Sequence, residues 1–87
     1  MSYKVEMTSG ARRDLKRLDK KAQGQILNAI DALGRDPFGA GNDVKKMAGT
    51  SSTYRLRVGN FRVIYELSQR HVKITVIEVA HRREAYR

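Results

Sequence analysis

Residues Tyr54–Leu67 read YRLRVGNFRVIYEL, and the fold turns on how they pair with one another. Tyr54, Leu56 and Val58 alternate with Arg55 and Arg57; after Gly59-Asn60, Phe61, Val63, Tyr65 and Leu67 alternate with Arg62, Ile64 and Glu66. A period of two marks half-buried strands, and Gly-Asn between them is a two-residue hairpin turn of type II′ or I′. Such a turn pairs Val58 with Phe61, Arg57 with Arg62 and Leu56 with Val63. One face then carries Tyr54, Leu56, Val58, Phe61, Val63, Tyr65 and Leu67, and has to be buried. The other gathers Arg55, Arg57 and Arg62. Like charges opposite one another destabilise a sheet, and a face built for solubility mixes signs. This one has only Glu66 at its far edge, so it reads as an anion site.

Upstream, Tyr3–Met7 is a short strand candidate, and Ser9 or Thr8 caps a helix. Ala11, Leu15 and Leu18 form a narrow apolar stripe beside the basic Arg12, Arg13, Lys16 and Arg17. Asp19 caps a second helix with Ala22, Ile26, Ile30 and Leu33 at helical spacing, ended by Gly34 at C′. Gly24 inside it costs about 1 kcal/mol relative to alanine. Asp36-Pro37-Phe38-Gly39 and Gly41-Asn42 mark a loop, and Val44–Ser52 a turn-rich approach to the sheet. A last strand runs from His71 to about His81. The order predicts an α+β fold in a single domain over 1–87: an N-terminal strand, a helical hairpin, and a three-stranded antiparallel meander with the helices on one face. If Ser68 stands across from His71, Glu66 faces Lys73 and Arg62 faces Ile77. By parity His81 then joins Val79 and Arg62 on the arginine face, while Glu78 points toward the helices.

Eighteen Lys and Arg against nine Asp and Glu give a net charge of +9 over 87 residues. So basic a chain attracts polyanions, nucleic acid first among them. Residues 1–53 hold four Arg and six Lys, whereas residues 54–87 hold seven Arg and one Lys. Arginine's planar fork matches phosphate bidentately, so the second half reads as the phosphate-contacting half. Cysteine is absent, which excludes disulfides and thiolate metal sites and fits a reducing cytoplasm. MSYKVEMTSG lacks the layout of a signal peptide, and no apolar run approaches the roughly 18 residues of a membrane span.

The final segment, VAHRREAYR, adds His81, Arg82, Arg83 and Tyr86. Histidine exchanges a proton near neutral pH, tyrosine offers a hydroxyl, and arginine stabilises charge developing on phosphate. There is no DxD, no HxxxH, no phosphate loop and no nucleophile elbow. The nine acids are scattered, leaving a two-metal nuclease site without evident ligands. Nucleic-acid cleavage by this chain is therefore expected to need no metal or other cofactor. RNA permits that, because its own 2′-hydroxyl attacks the adjacent phosphate.

The YRLRVG-x-[FY]-R-VIYE and HRRE-x-Y blocks, together with the KKMAG segment, resemble the RelE family of toxins from toxin–antitoxin operons. The resemblance spans nearly the whole chain. It implies a ribonuclease that enters the ribosomal A site, cuts mRNA there, and is held inactive by an antitoxin, through which it reaches operator DNA. By position it assigns catalysis to Arg62, Arg82 and Tyr86, with His81 as a less constant member. RNA binding falls to Arg55, Arg57, Arg83, Lys45 and Lys46. The similar ParE toxins instead bind DNA gyrase without catalysis, and a purely nucleic-acid-binding operon regulator, acting only with a DNA-binding partner, is a third expectation.

Overall fold

The computed structural model describes residues 2–38 and 43–81. In chain order they form β1 Lys4–Met7, α1 Ser9–Lys16, α2 Lys20–Arg35, β2 Asp43–Lys46, β3 Thr53–Val58, β4 Phe61–Ser68 and β5 Lys73–His81. The strands make one sheet in the order β1-β5-β4-β3-β2. Strand β1 runs parallel to β5, and the other neighbours are antiparallel. The α+β class and the hairpin are as expected, but the sheet has a fifth strand. Asp43–Lys46, of which Val44 onward is expected to be a turn-rich approach, pairs with Arg57–Tyr54 of β3. Only Val44 in it is even half-buried, so no alternation betrays an edge strand whose ladder comes from its neighbour.

Both helix starts follow from side-chain chemistry. Thr8 Oγ1 accepts from the Ala11 amide at 3.1 Å, and Asp19 Oδ1 accepts from the Ala22 amide at 2.8 Å, each satisfying an N–H with no partner inside the helix. Gly34 does not end α2, which continues to Arg35 with Asp36 as its C-cap. Its lack of a side chain serves packing instead. The Gly34 carbonyl accepts from the Tyr3 amide at 2.6 Å, and a Cβ there would meet the Val5 side chain at 3.2 Å and the Tyr3 carbonyl at 3.4 Å. The helix end and β1 can approach only because that atom is missing.

The apolar hairpin face meets the helices as predicted. Ile26, Leu33, Leu56, Val63, Tyr65, Ile74 and Val76 are fully buried in one cluster with Ala11 and Ile30. Each such aliphatic side chain contributes about 1.5–3 kcal/mol relative to exposure. Gly59 has φ of 57° and Asn60 is not left-handed, which selects the type II′ turn. The ladder pairs Val58 with Phe61, Arg57 with Arg62 and Leu56 with Val63.

The β4–β5 register departs from expectation twice. Ser68 pairs with Lys73 rather than His71, so the loop holds four residues. It is closed by the Ser68 hydroxyl, which accepts from the His71 amide at 3.2 Å, and by Val72 at φ 52°. A β-branched residue in the left-handed region is unfavourable by about 1–2 kcal/mol, so nothing in the residue types announced the longer loop. The second departure is a bulge: Ile64 pairs with Glu78 but Tyr65 with Val76, leaving Ile77 as the extra residue. Glu66 therefore faces Thr75, and Arg62 faces Ala80 rather than Ile77. Lys73 finds Glu6 of β1 at 3.7 Å instead of Glu66. Beyond the bulge the faces exchange, so Glu78 joins the arginine face and His81 leaves it.

Tyr65 ties the sheet to the end of α2. Its ring stacks on Tyr54 at 5.7 Å, and its buried hydroxyl donates to the Pro37 carbonyl at 3.0 Å. Burial, with smaller contributions from Tyr54 and Asp36, raises its pKa to about 12.

Two stability predictions follow from these contacts. An added Cβ at Gly24 would meet nothing within 4 Å, so Gly24→Ala should raise stability by about 1 kcal/mol, or roughly 4–8 °C in Tm. Gly34→Ala should lower it, and thermal melts of both variants make the comparison. An unfolded tyrosine loses its proton near pH 10, whereas folded Tyr65 holds its proton to about 12. The folded state thus binds more protons within that window. Tyr65's contribution is complete below pH 10 and is lost as pH rises toward 12, by about 2–3 kcal/mol. Denaturant midpoints from pH 9 to 12 should fall less steeply for Tyr65→Phe, itself less stable by about 1–3 kcal/mol through the orphaned Pro37 carbonyl.

Candidate functional site

Strand alternation puts Arg55, Arg57 and Arg62 on the sheet face opposite the helices, at the β2–β3–β4 end. Arg57 and Arg62 are direct cross-strand partners, and Arg55 pairs with Ile64 and Lys45. Two carboxylates moderate the repulsion. Asp43 of β2 lies 3.8 Å from Arg55 and 3.6 Å from Arg57, and Glu78 lies 3.7 Å from Arg62. These pairs are loose beside the 2.7 Å Arg35–Asp31 contact on α2, and all are open to solvent screening. Sequence reasoning missed both acids: Asp43 because β2 was read as a loop, Glu78 because the bulge was not anticipated.

The arginine side chains are held rather than free to spread. Those of Arg55 and Arg62 are 22% and 29% exposed. Their Nε atoms are buried with no hydrogen-bond partner among the described residues. A buried donor without an acceptor costs about 1–3 kcal/mol, and more when charged, so holding the two side chains there is unfavourable, while their Nη ends reach toward Asp43 and Glu78. Arg55 and Arg62 line a hollow of about 210 Å³ whose other walls among the described residues are Lys45, Lys46, Met47 and Ala48. The lysines come from β2 and the apolar pair from the turn after it. Arg55, Arg62 and Lys45, which share one face by register, border this small concavity and suit phosphate, which arginine grips bidentately and lysine as a point charge. Lys46 also borders it but pairs with Tyr54 on the other face.

Five of the residues singled out from sequence are therefore neighbours: Arg55, Arg57, Arg62, Lys45 and Lys46. His81 is elsewhere. It pairs with Phe61, and its ring meets the Phe61 ring edge-on at 5.3 Å, on the face opposite Arg62. The one-residue bulge at Ile77 is the reason. Arg82, Arg83 and Tyr86 lie outside the described residues, as do Gly39, Gly41 and Asn42 of the loop before β2. Among the described residues, no three His, Asp or Glu side chains group as metal ligands, and no helix is long and apolar enough to cross a membrane.

Residues 5–86 match the family described as ParE toxin of type II toxin–antitoxin system, parDE. The chain is 33% identical to Toxin RelG of Mycobacterium tuberculosis, over the whole of this chain and 99% of that protein. It is 30% identical to Toxin RelE of the same organism, over 98% of this chain and 87% of that one. Its fold is similar to that in the archaeal RelE–RelB complex from Pyrococcus horikoshii OT3, with a TM-score of 0.83, 29% identity, and 94% and 97% of the two chains covered.

Asp43 partly neutralises the pair of arginines it sits between, so Asp43→Asn should strengthen polyanion binding. The two loose pairs are worth about 0.2–1 kcal/mol each, which together correspond to about a two- to thirtyfold gain. Heparin elution and titration of a short RNA at fixed salt would read it. Unchanged binding would mean that Asp43 does not shield this face.

Proposed function

The chain belongs to the RelE/ParE family of toxins from type II toxin–antitoxin systems, and on that premise we propose that it is an endoribonuclease. It cuts mRNA in the ribosomal A site without metal, and thereby stops translation. The observation that carries this reading is the clustering of Arg55, Arg57 and Arg62 on one sheet face, with the Nε atoms of two of them buried and unpaired among the described residues. In this mechanism the 2′-hydroxyl attacks the adjacent phosphorus, and the bond to the 5′-oxygen breaks. A 2′,3′-cyclic phosphate and a 5′-hydroxyl result. The protein has to hold that hydroxyl in line and neutralise the crowded phosphate.

Arg62 is assigned to the oxygens of the scissile phosphate, because its direct partner Arg57 and its neighbour Arg55 converge on the same side. Lys45 and Lys46 hold a flanking phosphate. Arg82, Arg83 and Tyr86 take the roles that the family resemblance assigns them. His81, turned toward Phe61, gains no support as the proton-transfer group from its position. The partner is a cognate antitoxin, in line with the RelE–RelB complex of the Pyrococcus relative; the charge of +9 calls for an antitoxin segment that contributes acidic and apolar residues. Operator DNA is reached through that antitoxin. The description of the matching family keeps a second reading in view, a gyrase-binding toxin with no chemistry of its own.

Arg62→Ala separates the two. It removes a like-charge neighbour of Arg57 and only a loose, half-exposed contact with Glu78, so folding should be intact. Single-turnover cleavage of ribosome-bound mRNA should fall about 10²–10³-fold, with ribosome affinity little altered and wild-type cleavage persisting in EDTA when polyamine keeps ribosomes intact. Mapping mRNA 5′ ends and plasmid topology in the same induced cells completes the test. Altered supercoiling without new mRNA ends would overturn the nuclease reading in favour of gyrase.

A further inference from the structure

The hollow beside Arg55 and Arg62 has a wall that phosphate binding does not need. Met47 and Ala48 face the cations across about 210 Å³, an apolar surface at the edge of a strongly basic site. The turn that carries it is closed by its own hydrogen bonds. The Met47 amide donates to the Thr53 carbonyl at 2.9 Å, and the Met47 carbonyl accepts from the Thr50 hydroxyl at 2.7 Å and its amide at 3.3 Å. Gly49 closes the turn at φ 77°, where a side chain would be strained. Met47 is half-buried, so it is presented on a fixed turn rather than a loose one. The hollow is smaller than the roughly 300 Å³ at which drug-sized sites begin. It therefore admits a piece of one nucleotide, not a stretch of chain.

We infer that this hollow is a single-nucleotide subsite, in which Arg55 and Arg62 take a phosphate and Met47 lies against the base that belongs to it. The inference rests on the ribonuclease reading for its choice of ligand and adds to it a residue that discriminates between bases. The two ends of the hollow match the two ends of a nucleotide. Arg55 and Arg62 line the hollow with positive charge that suits an anionic acceptor, and a flexible thioether makes favourable contact with an aromatic ring. A purine and a pyrimidine cover different areas of such a wall. Met47 is then a specificity residue, not a catalytic one.

The isolated toxin, labelled with ¹³C at its methionine methyl groups, would be titrated with each of the four nucleoside 3′-monophosphates and with inorganic phosphate. Met7 on β1, remote from the site in the sheet order, serves as an internal control. The Met47 methyl signal should shift with nucleotides but not with phosphate, Met7 should stay still, and the four affinities should differ. Met47→Ala should weaken nucleotide binding about two- to tenfold, the range of a sulfur–aromatic contact, and leave phosphate binding unchanged. Arg55→Ala should weaken both. A Met47 signal indifferent to nucleotides, or a Met47→Ala variant that loses nucleotide and phosphate alike, overturns the subsite. Because binding is read without ribosomes or cleavage, a protein that binds nucleotides this way and cuts nothing refutes the nuclease reading alone. One that cuts mRNA while Met47 stays silent refutes the subsite alone.

Discussion

A two-residue turn at Gly59-Asn60 leaves the β3–β4 hairpin one register, and most of the molecule is a consequence of it. Gly59 takes the positive φ that the tight turn needs, and Val58 meets Phe61. From there the period of two has no freedom: Leu56, Val63 and Tyr65 must share a face, and Arg55, Arg57 and Arg62 the other. A slip of one residue would put three arginines into the core and Leu56 and Tyr65 in water. The burial of those side chains outweighs the repulsion between Arg57 and Arg62 several-fold, since cross-strand pair terms are only about 0.2–1 kcal/mol. The basic face is thus secured by the hydrophobic effect acting on its reverse side.

That separation lets the binding face carry poor local energetics without endangering the fold. Nε atoms buried without a partner among the described residues and directly opposed like charges are unfavourable. They are tolerated because the helix side supplies a continuous cluster from Ala11 to Val79 and a hydroxyl anchor from Tyr65 to Pro37. Asp43 and Glu78 relieve part of the repulsion through loose contacts that an incoming phosphate can replace. A tight pair in either place would compete with the ligand.

The other end of the sheet shows how one irregularity redistributes chemistry. Past the point where β1 stops pairing with β5, α1 takes over that strand's edge. Thr8 approaches the Ile77 carbonyl at 3.4 Å, and Asp14 Oδ2 accepts from the Val79 amide at 3.1 Å. The bulge at Ile77 falls at this handover. It exchanges the two faces of β5, bringing Glu78 to Arg62 and turning His81 to Phe61. A side chain placed by parity counting is placed only as well as the count.

Residue order alone determined the helices, through Thr8 and Asp19 as caps and the spacing of Ile26, Ile30 and Leu33, and determined the hairpin with its arginine face. Those features are local, set by periods and turn chemistry within a few residues. What lay beyond it came from partners distant in the chain. Strand β2 exists because β3 offers it a ladder, and Gly34 is needed because β1 packs against it. The four-residue loop depends on Val72 accepting a left-handed conformation that its side chain disfavours. With that loop and the bulge, tertiary structure decided that Asp43, Glu78 and Met47 stand at the basic face and His81 does not. No period in the sequence encodes such a choice, because it depends on which backbone groups find acceptors once the sheet and helices have met.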